Sequence, residues 1–237
     1  RAFCEVFEDC TLWTGAGLDW LMMGTRGFEG PVPLKHFEKQ WRDPIVSREL
    51  VALGFEKPDQ IGALFLADSD QISRLTADTP PLTDNYPKRL SDRIASSRYE
   101  NWMNVDTTRK RFANSRILDD LWPSSLRPTS PKYFALQSAI NAKFAVAESP
   151  NAPPINNTID LVLVDQILEQ TDLETLPLWR LDSTVAVQNA AKSASAKGKT
   201  GAWLEFELGK GALAKRNWPS AMHHFDRATA AGGAPDL

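Results

Sequence analysis

The chain has 237 residues, 42% hydrophobic and 24% charged, with a formal net charge of −3 at pH 7. These proportions suit one large globular domain, or a domain with a smaller appendage. No apolar run approaches the roughly 20 residues of a bilayer span. The longest, Trp20–Met23 and Leu161–Val164, are sized for a core, which excludes a membrane-crossing helix within these residues.

Arg1–Asp9 carries Phe3, Val6 and Phe7 at helical spacing, as the end of a helix packed on a sheet. Cys4 and Cys10 are the only cysteines. Six apart, they could pair, but buried free thiols are the expectation, and no Cys/His spacing suggests zinc. His36, His223 and His224 are too scattered for a metal site. Thr11–Trp13 and Leu18–Met23 flank a Gly15-Ala16-Gly17 turn and read as neighbouring antiparallel strands. Leu18–Met23 is too short for a buried helix and rich in large apolar residues, so a central strand covered on both faces is expected. After Gly27 the chain reads as helical. Leu34–Trp41 carries Phe37 and Trp41 one turn apart. Asp43 caps a helix with Pro44 at its first position, and Gly54 closes it. Lys57-Pro58-Asp59 opens another, with Ile61, Leu64 and Phe65 on one stripe, and Asp68–Thr76 adds a further turn or two. Three prolines, Pro80, Pro81 and Pro87, make 77–87 a loop.

Leu82-Thr83-Asp84-Asn85-Tyr86-Pro87, following Leu12-Trp13 and Trp20-Leu21-Met22-Met23-Gly24-Thr25-Arg26, resembles the spermidine synthase (polyamine aminopropyltransferase) family. The likeness is to its long bacterial variants, which fuse a multi-helix membrane region to the synthase-like domain and in some cases add tetratricopeptide helices. Arg111–Ser115 to Leu121-Trp122-Pro123 and Tyr133–Gln137 carry the likeness to about residue 140; no single motif in it is specific. The resemblance implies a parent that moves an aminopropyl group from decarboxylated S-adenosylmethionine to a diamine, with this portion at the cytoplasmic face of an integral membrane protein. It also implies that the donor-binding Gly-rich loop and the catalytic Asp lie upstream. Gly15-Ala16-Gly17 stands between two strands, the wrong context for a nucleotide cradle. No catalytic, cofactor or metal residue is therefore assigned within this chain. Asp84, Asn85 and Tyr86 are candidates for a substrate loop, although such Asx residues more often bond their own turn.

Between Lys88 and Arg116 eight basic residues stand against three acidic ones. Arg89, Arg93, Arg109, Lys110 and Arg111 form a candidate basic patch, suited to an anionic membrane surface or an acidic partner; the blander reading is a solvated helical face. Aromatic residues are not interleaved as a single-strand nucleic-acid platform requires, so no nucleic acid is expected. Ser130-Pro131 opens a helix with Tyr133, Leu136, Ile140 and Phe144 as its apolar stripe. Asn157 caps the next, with Leu161, Val164 and Leu168, and the Ala-rich segment Leu178–Ala196 stops at Gly198. Leu208, Gly209, Trp218, Ala221, Phe225 and Ala228 then fall on the spacing of a tetratricopeptide repeat over 202–235. Glu205 departs from it, standing where a large apolar residue is usual.

The expected fold is mainly α. A helix and β-hairpin form the remnant of a class I methyltransferase-like α/β sheet, followed by helical pairs ending in a tetratricopeptide-like hairpin. Expected divisions are 1–90 (edge of the synthase-like domain), 91–155 (basic helical connector) and 156–237 (helical tail). The chain opens without Met and closes after a Gly/Ala/Pro cluster, so a piece of a longer protein is expected. Alone it should be inactive and serve packing, joining the parent's missing part and a protein or peptide partner of the tail. The alternative is a non-catalytic helical scaffold; a methyltransferase parent is a weaker third reading.

Overall fold

The computed structural model describes residues 2–15, 19–25, 30–77, 104–148, 167 and 185–232. The fold is mainly helical with a small antiparallel sheet near the N-terminus. Two compact units are present, Arg1–Ala145 and Val146–Leu237.

In the first unit α1 (Ala2–Val6) leads into the hairpin β1 (Thr11–Thr14) and β2 (Trp20–Met23). Its register runs from Thr11 opposite Met23 to Thr14 opposite Trp20. The expected antiparallel pair is present, but β2 is not central. Among the described residues the sheet has three strands in the order β2-β1-β3, and β3 is Phe65–Asp68. β1 and β3 are buried throughout, whereas Trp20, Leu21, Met22 and Met23 are 37–54% exposed. β1 takes the place expected of β2 because β3 pairs with its other edge.

The third strand also corrects the helical stripe expected through Phe65. Helix α4 spans only Asp59–Gly62. It stops where Gly62 lies against Ser130 and Trp122, so close that a Cβ would come 2.4 Å from Ser130 Oγ. The chain then extends until Asp68 caps α5 (Ser69–Leu75), in a capping box with Gln71. A four-residue strand between two caps leaves almost no periodic signal.

Helices α2 (Leu34–Arg42) and α3 (Pro44–Ala52) form as the sequence indicates. Asp43 accepts from the amides of Ile45 and Val46, and Gly54 takes the left-handed φ of 93° that ends the segment. Buried Gln60 fixes the following turn, donating to the Gly54 carbonyl at 2.7 Å and accepting from the Lys57 amide at 2.8 Å. Beyond come α6 (Val105–Ala113), α7 (Arg116–Leu121), a 3-10 turn (Ser130–Tyr133) and α8 (Phe134–Glu148). Asn104 and Ser115 supply side-chain caps for α6 and α7.

The core lies on both faces of the sheet. On one, Cys10, Leu12, Leu66, Ala67 and Ile72 form a cluster covered by Phe3, Cys4 and Phe7. Cys4 and Cys10 are joined by a disulfide with a Cα separation of 5.2 Å, which corrects the expectation of free thiols. Helix α1 returns the chain on itself within six residues, bringing both sulfurs to the same cluster. On the other face Trp13 stacks edge-on against Phe65 and lies 5.5 Å from Trp122. Phe112, fully buried, meets Phe65, Trp122 and Phe134 at 5.8, 6.3 and 5.5 Å between centroids.

In the second unit α9 (Val185–Ala196) ends before Gly198, which has φ 80°. Helices α10 (Ala202–Ala214) and α11 (Trp218–Ala230) then pair. The expected loop at 77–87, apart from Ala77, and the helix capped by Asn157, apart from buried Ile167, lie outside the described residues.

Replacing Phe112 with Ala should remove about 3–5 kcal/mol of stability, whereas Asp68→Ala should cost about 0.5–2 kcal/mol through the lost cap. Urea unfolding followed by tryptophan fluorescence separates the two.

Candidate functional site

Asp84, Asn85 and Tyr86, with Arg89 and Arg93 of the basic patch, lie outside the described residues. The remaining patch residues do not act together. Helix α6 sets Lys110 outward, while Arg111 turns toward the sheet and donates to the Leu66 carbonyl at 3.4 Å. Burial lowers the pKa of its guanidinium from the ordinary value. Gln71 donates to the Arg111 carbonyl at 3.0 Å, so this residue ties α6 to β3 and α5. Arg109 pairs with Asp106 at 3.6 Å. The helical face is a mixture of one exposed lysine and two engaged arginines.

A second basic side chain, missed in the sequence, is structural. Arg127 lies over the Phe112 ring at 4.6 Å and donates to the Ser115 carbonyl at 2.8 Å. It also pairs with Asp119 at 3.0 Å. One guanidinium thereby closes the α6–α7 corner.

The hairpin of α10 and α11 brings most of the repeat-spaced residues together. Ala221 and Ala228 are buried, and Leu208 and Phe225 are half-buried. At Gly209 a Cβ would come 2.5 Å from Phe225 Cε1, so the absence of a side chain there lets the ring seat against the backbone. Phe206 adds a ring contact with Phe225 at 5.8 Å. Trp218 departs from its expected packing role: it is 60% exposed, as is Met222 at 67% one turn on. It begins α11 beyond the crossing, with Asn217 capping the helix.

Glu205, the departure from the repeat pattern, is the charged centre of this hairpin. It is 5% exposed on α10. Its Oε2 meets His224 Nδ1 at 2.8 Å and its Oε1 meets Arg227 Nη2 at 2.7 Å, both partners lying on α11. The spacing of 224 and 227 places both on one face of α11. A carboxylate at a normally apolar position, followed by basic residues three positions apart on the next helix, is the signal that could have revealed it. Both carboxylate oxygens are occupied, so the cluster joins two helices.

In the first unit an apolar recess of about 200 Å³ lies beside β1 and β2, bounded by Trp13, Met23, Val32, Phe37, Leu121 and Trp122. Asp9 closes one side, its carboxylate accepting from the Thr25 amide at 2.8 Å and from the Thr25 hydroxyl. Among the described residues no group of three or more His, Cys, Asp or Glu side chains is disposed to hold a metal ion. No described helix is long and apolar enough to cross a membrane.

Comparison with family models, with curated proteins and with solved structures finds no match to this chain.

Substituting Ala221 with Trp should overfill the α10–α11 crossing and cost about 1–3 kcal/mol; an unchanged thermal transition would contradict that packing. Glu205→Ala should cost about 1.5–3 kcal/mol through its charged hydrogen bonds. Glu205→Leu should cost less, because an apolar side chain suits the seam and the exposed Arg227 regains water. Calorimetry on both variants gives the order.

Proposed function

We propose that this chain is the distal, non-catalytic portion of an aminopropyltransferase-like protein, extending the sheet of a larger synthase-like domain and carrying a helical hairpin toward a protein partner. The observation that supports it is β2. An edge strand that borders a finished sheet is commonly guarded by lysine, proline, a bulge or a covering element. β2 consists of four large apolar residues, all exposed, in regular register with β1. Its composition is that of an interior strand, and among the described residues its position is that of an edge. On this reading a neighbouring strand from another segment lies beside β2 and covers its exposed apolar side chains.

On this reading the chemistry belongs to the segment before Arg1. Aminopropyl transfer requires a neutral attacking amine, hence a carboxylate base beside it. It also requires a cradle for decarboxylated S-adenosylmethionine, which the resemblance places upstream. The parent would be membrane-anchored, with this portion on the cytoplasmic side.

The packing of α10 on α11 favours a second reading, a tetratricopeptide-type scaffold. A single such hairpin needs neighbouring helices to bury its outer faces, and the exposed Trp218 and Met222 are consistent with that need.

The isolated chain should give no aminopropyl transfer from decarboxylated S-adenosylmethionine to a diamine. Titration calorimetry with S-adenosylmethionine analogues should show no saturable heat. A micromolar site, or turnover, would overturn the proposal. In a preparation joined to the preceding 200 or so residues of the parent, Leu21→Lys combined with Met23→Lys should lower the melting temperature more than in the isolated chain; equal effects would favour the scaffold.

A further inference from the structure

Helix α1 has five residues, none of them buried, well short of the length at which a helix persists by itself. What holds it to the sheet is therefore decisive. Phe3 and Phe7 stack at 4.6 Å and cover the cluster of Leu12, Leu66 and Ile72. The polar ties that follow lie at the surface: Ser69 Oγ donates to the Glu8 carbonyl at 2.8 Å, and the Thr25 amide donates to Asp9 at 2.8 Å. Water competes for both. The Cys4–Cys10 bond is the one covalent link, and it joins α1 to the residue just before β1.

The consequences of that link reach β2. Phe7 presses against Gly24, where a Cβ would come 2.6 Å from Phe7 Cβ, and Asp9 holds Thr25 directly after it. Asp9, Gly24 and Thr25 also form part of the wall of the apolar recess. The segment closed by the disulfide is thus the clasp on the exit of β2.

We propose that Cys4 and Cys10 form a thiol–disulfide latch that sets whether α1 and its Asp9 clasp remain closed over the sheet. Closing removes two electrons and two protons from the two thiols. A low-molecular-weight disulfide, such as oxidised glutathione, accepts them and leaves as two thiols. Opening begins with a thiolate attacking Cys4 Sγ, because Cys4 is partly exposed whereas Cys10 is 0% exposed. Cys10 leaves as the thiolate, and a second thiol resolves the mixed disulfide. Once open, α1 loses its covalent link and keeps the Phe3 and Phe7 packing and exposed hydrogen bonds. Its release uncovers Leu12, Leu66 and Ile72 and frees Thr25. In a compartment kept reducing by glutathione the latch opens; in an oxidising one it stays shut.

The test is amide hydrogen exchange on the full chain, equilibrated with either oxidised glutathione or dithiothreitol, with mass spectrometry to count the two hydrogens lost on closure. The amides of Phe7, Cys10 and Thr25, which donate to Phe3, Phe7 and Asp9, report on the latch. Reduction should speed their exchange at least tenfold, while amides of Thr14 and of Ala221 stay unchanged. Cys4→Ser should exchange at the reduced rate in both buffers, and Cys10→Ser should match it where that more buried site tolerates the change. Equal rates in the two buffers would overturn the proposal. So would a uniform rise across the sheet, which marks a general staple, or failure of the sulfurs to join under oxidised glutathione.

Discussion

Trp13 is the side chain on which the first unit depends. It projects from the central strand into the space between the sheet and the helices, touching Phe65 of the neighbouring strand and Trp122 at the end of α7. Its indole nitrogen is satisfied by Thr11 Oγ1 at 2.8 Å, so this large ring is buried without stranding its donor. Phe112 and Phe37 then reach Trp122 from α6 and α2. A chain of rings made from widely separated segments substitutes for the broad sheet a larger α/β domain would provide.

That arrangement explains why β1 and β3 are saturated with contacts while β2 is not. The aromatic cluster lies over β1 and β3 on one side, and the Leu12 cluster lies beneath them on the other. Met23 borders the aromatic side through the recess it shares with Trp13, Phe37 and Trp122, while the β2 side chains stay 37–54% exposed. Beside Met23 the packing leaves the recess instead of a filled core. Among the described residues the sheet is buried at the β3 border and exposed at the β2 border.

Much of the local structure was legible because its causes are local. Asp43-Pro44 and Gly54 bracket α3 through a cap, a fixed φ and a left-handed glycine, each operating within a few residues. The β1–β2 hairpin is legible for the same reason. The place of β2 in the sheet is not, since strand order depends on Phe65–Asp68, forty residues on, whose apolar residues fit a helical stripe equally well. The disulfide depends on how α1 folds back toward β1, which spacing alone leaves open. In the hairpin the small residues at Gly209 and Ala221 announce close helices, but the role of Glu205 depends on partners from the facing helix. The candidate loop at Asp84–Tyr86 falls outside the described residues, so the sequence remains its only description.

The exposed apolar side chains of β2 also bear on handling. Antiparallel pairing accepts any extended chain of suitable register, including another copy of the same strand, and nothing charged on Trp20–Met23 discourages it. An exposed apolar strand of this kind is a seed for stacking. Its tendency to self-associate would rise steeply with concentration, and one charged side chain at the border would act as a solubiliser.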